Sequence, residues 1–222
     1  MATLTTLLLV SMLATVGFAQ GRENAVAFED DQVRVLEVSL PPGESRSMPD
    51  HRGELLVYLT ANLEGQIPSV EVSWHSPGTT TLQNRAKRRF EGILIGLRAP
   101  ASGAPAPFPP EVAGQAGWYG RVPTDYPHGG TPNSVRTLVD NDQVLVSRHR
   151  LAQSGLQTEP YHFHPREVVL VYLTGGEISG SSGHLGIRHV RRGDFDVLPA
   201  NLGHSFVNLG NDPIEFVMIT PK

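Results

Sequence analysis

Three histidines have the type and spacing that could do chemistry. His162 and His164 stand two apart in Tyr161-His162-Phe163-His164-Pro165, and His204 follows in Pro199-Ala200-Asn201-Leu202-Gly203-His204-Ser205. Along an extended strand side chains alternate between faces, so imidazoles at i and i+2 project to the same side. Joined by a third from a later strand, they supply neutral nitrogen donors for one divalent transition metal (Fe, Mn, Ni, Cu or Zn). Such a set leaves coordination positions open for water or substrate. The chemistry this permits is Lewis-acid or redox catalysis on a small molecule. The alternative is a barrel that binds a small polar ligand, or serves structurally, without a functional metal. His149, His184 and His189 lack this spacing and His128 falls in a Pro/Gly-rich stretch, so these four read as structural or exposed.

The elements that must position the histidines are short strands, arranged as an internal repeat. Asp31-Gln32-Val33 opens one strand-like run and Asp142-Gln143-Val144 opens another, 111 residues on. Each is followed by a polar, Pro-containing stretch and then an apolar run ending alike, at Tyr58-Leu59-Thr60 and Tyr172-Leu173-Thr174. Here the offset is 114, so the first copy is three residues shorter, in the region where the second carries its histidine pair. Each copy closes on a β-rich run, Gly92 to Leu97 and Ile214 to Ile219. Short strands separated by Gly and Pro predict an all-β barrel or sandwich. The divisions expected are a signal peptide over 1–19, an N-terminal barrel over 24–98, a Pro/Gly-rich linker over 99–133 and a C-terminal barrel over 134–222. The linker contains Pro105-Ala106-Pro107-Phe108-Pro109-Pro110, which cannot form an internal strand.

Composition narrows the function classes. The chain has 222 residues, 23 Gly, 18 Pro and no cysteine, which removes disulfides, thiolate metal sites and cysteine nucleophiles. A net charge of −4 gives no footprint for general nucleic-acid binding, and Arg85-Ala86-Lys87-Arg88-Arg89 reads as a solvated turn. Leu4 to Phe18 is apolar and runs into Gly17-Phe18-Ala19 and then polar residues, a pattern that suits signal-peptidase cleavage after Ala19. It is short for a membrane span. The expectation is a secreted or periplasmic protein with no stable span after cleavage.

The histidines and glycines of the second copy resemble the two motifs of the cupin superfamily, G-x5-H-x-H-x3-4-E-x6-G and G-x5-P-x-G-x2-H-x3-N. Gly155 stands near the first glycine, His162 and His164 match the pair, and Gly175 the closing glycine; Gly193, Pro199, His204 and Asn208 match the second motif, with Asn201 replacing its inner glycine. The resemblance implies two tandem double-stranded β-helix barrels and a metal on His162, His164 and His204. It also implies a small-molecule ligand or substrate and a homo-oligomer joined through sheets. Dioxygenation, isomerisation and decarboxylation all occur on this fold, which therefore does not choose between them.

The departure concerns the ligand glutamate. Counting back from Gly175 it falls on Val168, with Glu167 one residue early. Relative to His162, position 168 shares the histidine face whereas Glu167 lies on the opposite one, so a bulge is needed to bring Glu167 in as a fourth ligand. Otherwise the centre has three histidines and an apolar wall. The first copy has a single histidine near Met48-Pro49-Asp50-His51, and Thr80 stands in the third-histidine position if Asn84 matches Asn208. That copy is expected to carry no metal and to cover the sheet of its partner.

Overall fold

The computed structural model describes residues 25–48, 52–66, 71–78, 81–98, 134–152, 164–180 and 186–222. The expected signal peptide, the linker and His162 lie outside these residues. The first copy contributes β1 (Val26–Glu29), β2 (Val33–Leu40), β3 (Ser45–Ser47), β4 (Gly53–Tyr58), β5 (Val72–His75), β6 (Thr81–Gln83) and β7 (Phe90–Leu97). The second contributes β8 (Ser134–Asp140), β9 (Val144–Leu151), β10 (Val168–Tyr172), β11 (Gly176–Gly180) and β12 (Ile187–Val190). It continues with β13 (Phe195–Leu198), β14 (Phe206–Asn208) and β15 (Ile214–Pro221). No helix occurs among the described residues.

The repeat read from the sequence is an architectural one. The large sheet of the first copy runs β1-β2-β7-β4-β5, and that of the second β8-β9-β15-β10-β13, the same order strand for strand. A smaller sheet faces each, β3-β6 in the first and β12-β11-β14 in the second. Local hydrogen bonds are duplicated too. Asp30 Oδ1 accepts from the amides of Gln32 and Val33 at 2.8 Å, and Asn141 Oδ1 accepts from those of Gln143 and Val144. Thr60 and Thr174 accept from the amides of Glu91 and Glu215, which is why both runs end on the same tripeptide. Asn84 and Asn208, both buried, each donate to the carbonyl ending the first long strand (Leu40, Leu151) and to one four residues on. The asparagine of the second motif is thus a tie between strand and turn, because a buried amide side chain must find its partners within the chain.

Strand parity sorts the apolar residues into three cores. Val33, Val35, Leu55, Val57, Ile93 and Ile95 of the first large sheet pack against Val144, Val146, Val169, Val171, Val217 and Ile219 of the second. The two barrels therefore join back to back. The alternate residues point into the barrels: Leu36, Val38, Leu56, Phe90 and Leu94 in the first, and Val168, Leu170, Tyr172, Phe206, Phe216 and Met218 in the second. Large sheets apolar on both faces explain why these strands read as near-continuous hydrophobic runs. Charged residues flank the joint: Arg148 pairs with Glu71 of the other barrel and, at 2.5 Å, with Glu215 of its own.

Candidate metal centre

His204 sits at the end of the turn between β13 and β14, fully buried, with Phe206 two residues on at a ring separation of 5.3 Å. The turn needs a left-handed residue, and Asn201 supplies it with φ 60°. Asparagine tolerates this conformation better than other side-chain-bearing residues, which accounts for its standing where the motif has glycine. The Asn201 amide donates to the carbonyl of His164 at 2.7 Å and so ties the turn to the segment carrying the histidine pair. In consequence the rings of His164 and His204 lie with centroids 5.1 Å apart, tilted by 31°.

The tautomer of His204 follows from its contact with the backbone. Nδ1 is 2.9 Å from the carbonyl oxygen of Leu202, which can only accept, so Nδ1 carries the proton. In the neutral ring Nε2 then holds the lone pair, the arrangement that outer contacts impose on metal-ligating histidines. Of the three expected ligands, His164 and His204 are brought together; His162 lies outside the described residues. Among the described residues no group of three potential ligands is assembled.

The neighbours of the glutamate position are arranged as parity requires. Val168 is fully buried inside the second barrel, in the row that includes Leu198. Glu167 lies instead beside Asp30 and Asp31 of the first barrel's β1–β2 turn. Burial foremost, and then the Asp30 and Asp31 carboxylates, push its carboxyl up to about 8.

The sign of the resulting pH dependence is definite. From the ordinary value of 4.5 up to about 8, folding takes up a proton at Glu167, so stability falls as pH rises through that window. Glu167→Gln fixes the neutral form. Urea unfolding is expected to show the variant level with wild type near pH 4.5. Above pH 8 it should be more stable by on the order of 1–2 kcal/mol, after allowing for solvent screening at this partly exposed site. Parallel curves for the two proteins across the range would contradict this account.

Two interior features had no signal in the sequence. Tyr172, Asp196 and Arg188 form a buried polar network in the second barrel, with Tyr172 donating to Asp196 Oδ2 at 2.8 Å. His149, with no ligand spacing, is buried on the inner face of β9, stacked on Phe216 at 4.9 Å and 2.9 Å from Ser147 Oγ. His189 is exposed, as expected.

No family model and no curated protein matches the sequence. Solved structures do match in fold. A cupin 2 conserved barrel domain protein from Leptotrichia buccalis superposes with a TM-score of 0.56 at 14% identity over 92% of each chain. The oxalate decarboxylase of Lactobacillus farciminis, as a formate complex, gives 0.60 at 15% identity, over 99% of this chain and 87% of that one. A Bacillus subtilis oxalate decarboxylase studied for its Mn(II) centres gives 0.52 at 15%, over 85% and 68%. The chain has the cupin fold. In the second barrel of this fold His164 and His204 lie together, and the buried Val168 stands where the motif has glutamate.

Proposed function

We propose that this bicupin binds one divalent transition metal in its C-terminal barrel through His162, His164 and His204 and presents it to a small-molecule ligand. The observation that carries the reading is the His164–His204 pair, with the Nδ1–H of His204 held by Leu202 so that Nε2 is the donor. The donor chemistry fits: neutral imidazole nitrogens suit borderline transition metals and not hard cations such as Ca²⁺ or Mg²⁺. The Mn(II) centres of the Bacillus subtilis enzyme support the same class of metal on this fold. When bound, the metal would supply Lewis acidity or redox chemistry at its open positions. The chain's own residues would orient the donors through Leu202 and Asn201 and, through Val168, Leu170 and Phe206, exclude water from the inner side.

Elemental analysis of protein expressed with metal supplementation is expected to find about one transition metal per chain, lost in the His162→Ala/His164→Ala/His204→Ala variant. Metal-free wild-type protein, or a triple variant that keeps its metal, would remove the reading. Export is part of the same proposal and is supported by the apolar Leu4 to Phe18 segment with Ala19. Intact-mass measurement of the exported protein is expected to give a chain beginning at Gln20.

A further inference from the structure

The register of the repeat shows what the first barrel holds where the second has its buried polar network. Glu54, Leu56 and Tyr58 of β4 stand where the second barrel has Val168, Leu170 and Tyr172. On the neighbouring strand, Ser73 and His75 of β5 stand where it has Asp196 and Leu198. Both tyrosines donate to that strand at 2.8 Å, Tyr172 to Asp196 Oδ2 and Tyr58 to Ser73 Oγ. In the second barrel Asp196 is closed off by Arg188 from the facing sheet. In the first, the group that receives the tyrosine proton has its partner along its own strand: Ser73 Oγ lies 3.0 Å from Nε2 of His75.

The serine–histidine pair is oriented and accessible. Val72 and Trp74 pack on the inter-barrel core, so Ser73 and His75, which alternate with them, face the interior of the first barrel beside Leu56 and Tyr58. Asp196 is 2% exposed, whereas Tyr58, Ser73 and His75 are each partly exposed, so solvent reaches these inward side chains. Tyr58 donates to Oγ, which leaves the serine's own proton for Nε2. Burial holds His75 below its ordinary range, so the ring is unprotonated at neutral pH and can accept. A hydroxyl hydrogen-bonded to a neutral imidazole is the arrangement that activates serine as a nucleophile. Ser147 and His149 of β9 repeat the spacing and the contact, at 2.9 Å, but are only 1% and 3% exposed. They provide an internal reference with the same hydrogen bond and no access.

We infer that Ser73 is a nucleophile with His75 as its general base, and that the N-terminal barrel takes acyl groups from small esters. Ser73 Oγ bonds to the ester carbonyl carbon while its proton passes to Nε2 of His75. The bond from that carbon to the alkoxy oxygen then breaks, and the leaving oxygen takes the proton from His75. Tyr58 donates at Oγ and so lies next to the carbonyl group that attaches there, where its hydroxyl can meet the oxygen gaining charge. Water then attacks the acyl-serine, its proton again passing through His75, and releases a carboxylic acid and free Ser73. The reaction needs no metal in the other barrel.

The test treats the full-length protein with p-nitrophenyl acetate, follows nitrophenolate release, and maps acetyl groups by mass spectrometry after an early acid quench. Acetylation of Ser73 is expected, with release faster than in buffer. Ser73→Ala should remove both, and His75→Gln should slow them by on the order of 100-fold, the loss that goes with a general base. Circular dichroism checks that each variant is folded. Ser147 should stay unmodified, and the triple histidine variant should react as wild type does, which separates this site from the metal centre. The inference is overturned if wild-type protein neither carries acetyl on Ser73 nor releases nitrophenolate faster than Ser73→Ala does. It is overturned equally if the label is confined to lysines and the amino terminus, or if Ser147 is labelled as readily as Ser73. A wild-type rate in His75→Gln, or a reaction lost with the three metal-centre histidines, has the same force.

Discussion

Arg188→Met is expected to destabilise the protein by about 3–5 kcal/mol, the range for removing one partner of a buried ion pair. The pair lies inside the second barrel. Asp196 projects from β13 and is 2% exposed, and it accepts at 2.6 Å from one Nη of Arg188 and also from the other. Arg188 belongs to the small sheet, so the contact bridges two sheets that no strand pairing joins among the described residues. Its second Nη also donates to the Tyr172 hydroxyl at 3.0 Å. Burial, and next the Asp196 carboxylate, push the Tyr172 phenol well above its ordinary range, so it stays a donor. Without the guanidinium, Asp196 would be a buried carboxylate held by one phenol. The energy at stake is therefore the stranded charge, not the net value of the pair. Arg188→Met/Asp196→Asn should recover most of the loss, because the amide keeps an acceptor for Tyr172 and carries no charge. Urea denaturation of the three proteins decides this: a double variant as unstable as the single one would show that packing, not charge, is at issue.

Much of this architecture was legible because it is written twice. The Tyr-Leu-Thr endings mark a threonine that caps the returning strand, and Asn84 and Asn208 mark a strand–turn tie, so short local hydrogen bonds leave repeated letters. The histidine pair was expected on a strand, whereas His164 precedes β10 outside any strand and His162 lies outside the described residues. Parity alone also put Glu167 and Val168 on opposite faces, and they lie so. What that reading lacked was the identity of the other face. Glu167 meets Asp30 of the first barrel, more than a hundred residues away in sequence, and no spacing within one copy announces it. Arg188 and Asp196 are eight apart and look like surface charges; only the pairing of β12 with β11 turns Arg188 inward. Glu54, buried in the first barrel, was hidden in the same way. Motif matching asks for histidines near Met48 and Thr80, whereas Glu54 stands on the opposite, larger sheet, where cross-strand register and not spacing sets it opposite His75.

That register yields the sharpest test of the proposed metal centre. Glu54 and Val168 occupy equivalent positions in the two large sheets, and Glu54 is accommodated there almost fully buried. The backbone can therefore hold a glutamate at 168 in its inward direction, and Val168→Glu should place a carboxylate beside the proposed ligands. Without metal, the longer side chain overpacks the apolar interior around Leu170 and Leu198 and buries a charge, at an expected cost of about 1–3 kcal/mol or a raised carboxyl pKa. With metal, the same carboxylate becomes an anionic donor, and affinity is expected to tighten by about tenfold or more. The variant should thus melt below wild type when metal-free, and gain more than wild type on metal addition, because a ligand that binds only the folded state stabilises in proportion to its affinity. Thermal melts of both proteins with and without Mn²⁺, beside a competition titration against a chelator, read both effects. If Val168→Glu lowers stability equally with and without the ion, position 168 does not face a metal centre, and the three histidines do not form one around it.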